Sequence, residues 1–106
     1  MKRSSIRFSD LAVTDILEQA DWYEIQSGPR LATRWDRAVT STVVRISTAP
    51  KSGALCQFKA EQLRETRRVP VSGFPKHLIF YQVESPGIFV LRVVHGARDL
   101  ESLFSV

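Results

Sequence analysis

Arg64, Arg67, Arg68, Arg92 and Arg98 fall within one 38-residue stretch, Leu63 to Leu100, together with His77, Tyr81 and His95. A guanidinium presents a planar, permanently charged fork to carboxylates and phosphates, and histidine exchanges protons near neutral pH. Such a set can grip an acidic protein or a nucleic acid, or do acid–base work. Arg92 is the most demanding member, because it stands between Leu91 and Val93 in the most apolar run of the chain. A guanidinium there must be paired, hydrated or aligned with a groove. A structural ion pair with Asp99 or Glu101 is one reading, and contact with a partner is the other, favoured by the arginines that converge nearby. His95 has a similar pair of readings, as an acid–base group or as a turn residue before Gly96-Ala97-Arg98-Asp99. The sequence has no carboxylate pair, metal-ligand spacing, nucleophile elbow or phosphate-cradling glycine loop. No metal, cofactor or enzymatic activity is therefore expected.

These residues need a scaffold, and the C-terminal half supplies strands. A strand is expected from about Arg64 to Val71, a turn at Ser72-Gly73, and a second strand from His77 to Val83. A turn at Glu84-Ser85-Pro86-Gly87 then leads to a third strand from Ile88 to His95. Links this short make an antiparallel meander, which places Arg64, Arg67 and Arg68 one strand away from Arg92, across the central strand that carries His77 and Tyr81. The last two strands are apolar on both faces, so both need cover. Residues 99 to 104 could add a helical turn, and Lys51 to Gln62 reads as a surface loop.

Two helices precede the meander. Ile6-Arg7-Phe8 is a short strand candidate, and Ser9 can cap a helix from Asp10 to Ser27. Ala12, Val13, Ile16, Leu17, Ala20 and Tyr23 recur at three- and four-residue spacing along it. Gly28 stops that helix, and Pro29 suits the first turn of a second, which runs to about Ser47. Leu31, Trp35, Ala38, Val39, Thr42, Val43 and Ile46 form its inward stripe. A connection this short makes the two helices an antiparallel hairpin. The expected architecture is α+β, in the order β-α-α-β-β-β, with the hairpin packed on a small, mostly antiparallel sheet. The place of the first strand stays open.

The hairpin is electrically polarised. The first helix carries Asp10, Asp15, Glu18, Asp21 and Glu24, while the second carries Arg30, Arg34, Arg37 and Arg45 against Asp36. Those arginines fall on one side, away from the apolar stripe. They are either a solvated face partly paired with the first helix or a contact surface. Leu11, Trp22 and Ile25 lie off the first helix's main stripe, and are read as a partner-binding patch or as packing against a loop.

With 106 residues, the chain is one domain, spanning 1–106. Eleven of its fifteen basic residues are arginine and its net charge is +4. This balance suits an acidic protein or nucleic acid, although a soluble basic surface would show the same. Cys56 is the only cysteine, which excludes an intrachain disulfide and cysteine-based metal clusters. The N-terminus lacks the apolar core of a signal peptide and no apolar run reaches transmembrane length, so the expected location is cytoplasmic and away from membranes.

The order of elements, Leu63-Arg64, Arg67-Arg68-Val69-Pro70-Val71, Gly73-Phe74-Pro75, Leu78 to Tyr81 and the run Leu91 to Leu100 together resemble the ParE branch of the RelE/ParE toxin superfamily. The likeness extends to Ile6-Arg7-Phe8-Ser9, Ala12, Asp15 and Ile16, and so to nearly the whole chain. It implies a toxin held inactive, in a hetero-oligomer, by a ParD-like antitoxin with an acidic C-terminal segment. It also implies that the free toxin poisons DNA gyrase, a plasmid- or chromosome-stabilising activity that needs no catalytic residue. Under this reading Leu11, Trp22, Ile25, Arg30, Arg34, Arg37, Arg67 and Arg92 face the antitoxin, while Arg64, Arg68, His95, Arg98 and Asp99 face the target. The alternative is a RelE-like, ribosome-dependent endoribonuclease in which Arg64, Arg68, Arg92, Tyr81 and His95 act on RNA. A non-toxic binding module of the same fold is the third reading.

Overall fold

In the computed structural model, residues 5–96 are described, and they form a five-stranded sheet with a helical hairpin laid across one face. The elements are β1 (Ile6–Phe8), α1 (Asp10–Ser27), α2 (Pro29–Thr48), β2 (Ala54–Leu55), β3 (Arg67–Val71), β4 (Phe74–Glu84) and β5 (Gly87–His95). The expected α+β class and element order are correct. Two refinements concern edges. Two residues of the expected 51–62 loop form β2, antiparallel to β3. Arg64 lies outside the strand expected to begin with it, closing a short 3-10 turn at Glu61–Leu63.

The sheet order is β1-β5-β4-β3-β2, which places the N-terminal strand beside the last one and parallel to it. Only Ile6, Arg7 and Phe8 pair, opposite Ile88, Phe89 and Val90. The outer edge of β5 from Leu91 onward is therefore not covered by β1. At that point the chain turns into α1. Ser9 caps the helix by accepting the Ala12 N–H at 3.0 Å, and its hydroxyl donates to the Leu91 carbonyl at 2.6 Å. β5 also carries a bulge, since Phe80 faces Arg92 while Tyr81 faces Val90, leaving Leu91 as the extra residue.

Gly28 joins the helices at φ 89°, a conformation that favours glycine, and Pro29 opens α2 without needing an N–H partner. α2 buries Trp35, Val39, Thr42, Val43 and Ile46, the centre of its expected stripe. They pack against Val71, Ile79, Tyr81, Ile88, Val90 and Val93 of the sheet. The Trp35 indole N–H donates to the Ile16 carbonyl at 3.1 Å, so this large side chain is buried with its polar atom satisfied.

α1 behaves differently. Of its expected stripe only Ala12 is fully buried, with Ile16, Ala20 and Tyr23 partly so, while Val13 is 43% and Leu17 58% exposed. The physical reason is position. α2 reaches β1, β3 and β5, whereas α1 packs on β5 and α2. The sheet's other face takes its cover from the 56–66 segment, where Phe58 meets Phe80, Leu63 is buried, and Gln82 donates to the Gln62 carbonyl at 2.9 Å.

Candidate functional site

Arg92 is the residue on which sequence and structure differ most. Its Nε and Nη2 each lie 2.8 Å from a separate carboxylate oxygen of Asp15, a bidentate fork with both side chains about a tenth exposed. The hydrogen bonds that the guanidinium donates to Asp15 lead the effects that raise its pKa, and burial partly opposes them. Asp15 also accepts the Val93 N–H at 3.0 Å, taking the place of a neighbouring strand beyond the end of β1. Arg92 is thus engaged within the fold through Asp15. The expected partners Asp99 and Glu101 lie outside the described residues, as do Arg98 and the turn at 99–104. Asp15 was legible as an acid of the first helix and as part of the family resemblance, but its link to Arg92 spans 77 residues.

Tyr81 is also committed. It is wholly buried, its hydroxyl donates to the Pro50 carbonyl at 2.7 Å, and it accepts the Gly53 N–H at 3.0 Å. Arg67 clamps the same segment, with Nη1 donating to the carbonyls of Lys51 and Gly53 at 3.0 and 2.7 Å. It is a clamp inside the chain. Arg64 and Arg68 are exposed. Arg68 pairs across from Phe80 and Tyr81 across from Arg67, so neighbouring positions send Tyr81 and Arg68 to opposite faces of the sheet. The five residues of the nuclease reading are not brought together.

Two surface hollows gather other candidates. The first lies between α1 and the uncovered part of β5, lined by Asp15, Glu18, Trp22, Tyr23, His77 and His95 among others, with a volume of about 490 Å³. Trp22 is 54% exposed at its rim, and Leu11 and Ile25 are exposed on the same helix. On the floor, His77 packs edge-on to Trp35 at 4.9 Å and to His95 at 5.6 Å. Burial, and then His95, lower the His77 pKa. His77 and Tyr81 share the helix-facing side of the sheet, where Tyr81 stands opposite Arg67 and both bond Gly53, whereas Arg68 lies on the other face. The second hollow, about 340 Å³ on the opposite face, brings Arg68 beside Cys56, Phe58, Leu78 and Gly96.

The sequence from residue 6 to residue 100 matches the family model described as ParE toxin of type II toxin–antitoxin system, parDE. The chain belongs to the ParE toxin family. No curated protein matches it. Among solved structures, this ParE-family chain superposes on a chain titled "Chromosomal ParDE TA system from P. aeruginosa" with a TM-score of 0.70. The two are 17% identical, over 87% of this chain and 95% of that one, which makes the likeness one of fold. The ParE resemblance and the α+β expectation are therefore correct. No helix of the described residues is long and apolar enough to cross a membrane.

Proposed function

We propose that this ParE-family chain is the toxin of a type II pair, neutralised by a ParD-like antitoxin and acting on DNA gyrase when free. The observation that carries the antitoxin half is the solvent-facing surface of α1, where Leu11, Trp22 and Ile25 are 56%, 54% and 79% exposed. A helix apolar on its outer side as well as its inner side is suited to burial by a second chain. The antitoxin's occupancy of the hollow beside Trp22 would also stabilise a small domain by mass action.

For the target half, Arg92 and Tyr81 are spent inside the fold. That favours binding and trapping over RNA cleavage, because a nuclease needs groups free to touch the ribose and phosphate. Arg64, Arg68 and His95 remain exposed, and Arg68 lines the hollow that reaches Gly96 at the end of the described chain. These residues are the proposed target-facing set, with Arg98 and Asp99 following in sequence.

Purified toxin added to gyrase and plasmid should accumulate cleaved DNA that protein denaturant releases. Undiminished supercoiling with no trapped cleavage at toxin excess would remove gyrase as the target. A parallel reaction with translating ribosomes separates the alternatives, since cuts at codon positions would establish the ribonuclease reading instead.

A further inference from the structure

Arg30, Arg34, Arg37 and Arg45 lie on α2 within a narrow sector opposite the buried stripe of Trp35, Val39 and Ile46, given 3.6 residues per turn. All four are exposed. Among the described residues none of them has an ion pair or side-chain hydrogen bond, since the ion pairs use Arg7, Arg64 and Arg92. Asp36, the acid of α2, points elsewhere around the helix, and the exposed acids of α1 (Asp10, Glu18, Asp21 and Glu24) form no ion pair with these arginines among the described residues. The cations therefore keep their full charge for something outside the chain. Arg30, Arg34 and Arg37 line, with Pro29 and Thr33, a shallow depression of about 430 Å³ that shares no residue with the hollow beside Trp22.

We infer that this stripe binds the phosphate backbone of duplex DNA, without reading its sequence. The inference goes beyond the toxin reading and does not depend on gyrase being the target. Charge and shape carry it. From Arg30 to Arg45 the stripe is about 22 Å long at 1.5 Å per residue, and one DNA strand presents a charge roughly every 3.4 Å along the axis. Between the arginines stand exposed Thr33, Ser41 and Thr48, with Val44 at the margin as the single large apolar neighbour. An acidic peptide that orders on binding needs apolar anchors to offset its lost entropy, and this face supplies almost none. A duplex is already ordered, and its affinity comes from counterion release. The acids on α1 repel the duplex from that side and hold it along α2.

The test is fluorescence anisotropy of the free full-length chain with two unrelated labelled 30-base-pair duplexes, in the absence of gyrase, across 50 to 200 mM salt. Four phosphate contacts give a slope of log affinity against log salt of roughly −3 to −4, or about a hundredfold loss over that range. Both duplexes should behave alike. R34Q/R37Q should flatten the slope by about 2, while the charge-matched K51Q/K76Q leaves it unchanged. Circular dichroism checks that both variants keep the fold. Equal flattening by the two pairs, no measurable binding at 50 mM, or displacement of the duplex by polyglutamate at equal charge concentration would each overturn the inference, the last in favour of an acidic protein. Because gyrase is absent, failure here leaves the gyrase reading untouched, and the reverse also holds.

Discussion

One carboxylate, Asp15, accepts at once from the Arg92 guanidinium at 2.8 Å and from the Val93 backbone N–H at 3.0 Å. It joins the first helix to the bulged last strand where β1 no longer covers it. Removing one member of a largely buried pair leaves the other charge without compensation. D15N should therefore cost about 3 kcal/mol in urea unfolding. A double-mutant cycle with R92M should show coupling, with the double variant losing less than the summed singles. Additive losses would mean that the fork contributes little beyond packing.

Tyr81 ties the segment after α2 to the central strand through the Pro50 carbonyl and the Gly53 N–H. Y81F keeps the ring and orphans both backbone groups, so a loss of about 1–3 kcal/mol is expected. Gly53 should be equally intolerant, because an added Cβ would stand 2.5 Å from the Tyr81 hydroxyl oxygen. Unfolding midpoints of Y81F and G53A test this. If Y81F kept full stability yet abolished a toxic RNA cleavage, Tyr81 would return to the nuclease role.

Trp22 and Ile25 are exposed on α1, next to the hollow formed with β5. W22A and I25A should each weaken antitoxin binding by tenfold or more, in the range of buried interface anchors, with thermal midpoints close to the parent's. Calorimetry that gave parental affinity for both variants would place the antitoxin elsewhere.

His77 is held below its ordinary pKa by burial and by His95. A depressed folded-state pKa means that the unfolded chain takes up the proton first as pH falls. Stability linked to His77 is therefore fully present above about pH 6.5, declines as pH drops below that value, and levels off below the folded pKa. Asp15 and Glu18 line the same hollow, Asp15 being paired with Arg92. H77F should flatten the stability profile between pH 7 and 5, and an unchanged slope would assign the acid sensitivity to other groups.

The sequence alone was enough for the helical hairpin, its caps at Ser9 and Gly28, and the meander, because each follows from local rules: capping chemistry, apolar period and short links. It was also enough for the inward face of α2, which crosses the sheet, and it set Leu11, Trp22 and Ile25 off the main stripe of α1, while their exposure was decided by the fold. It misjudged Val13 and Leu17, since periodicity reports that a face is apolar but not whether a sheet lies beneath it. Family membership was likewise legible in the ordered run from Leu63 to Leu100. What only tertiary structure decided was which arginines the fold ties to its own carboxylate and carbonyl oxygens. Arg92 and Arg67 look no different in sequence from Arg68 or Arg34, yet the first two meet Asp15 and the carbonyls of Lys51 and Gly53. A charge's availability depends on what the folded chain brings within about 3 Å of it, and those neighbours come from distant positions that no local pattern specifies.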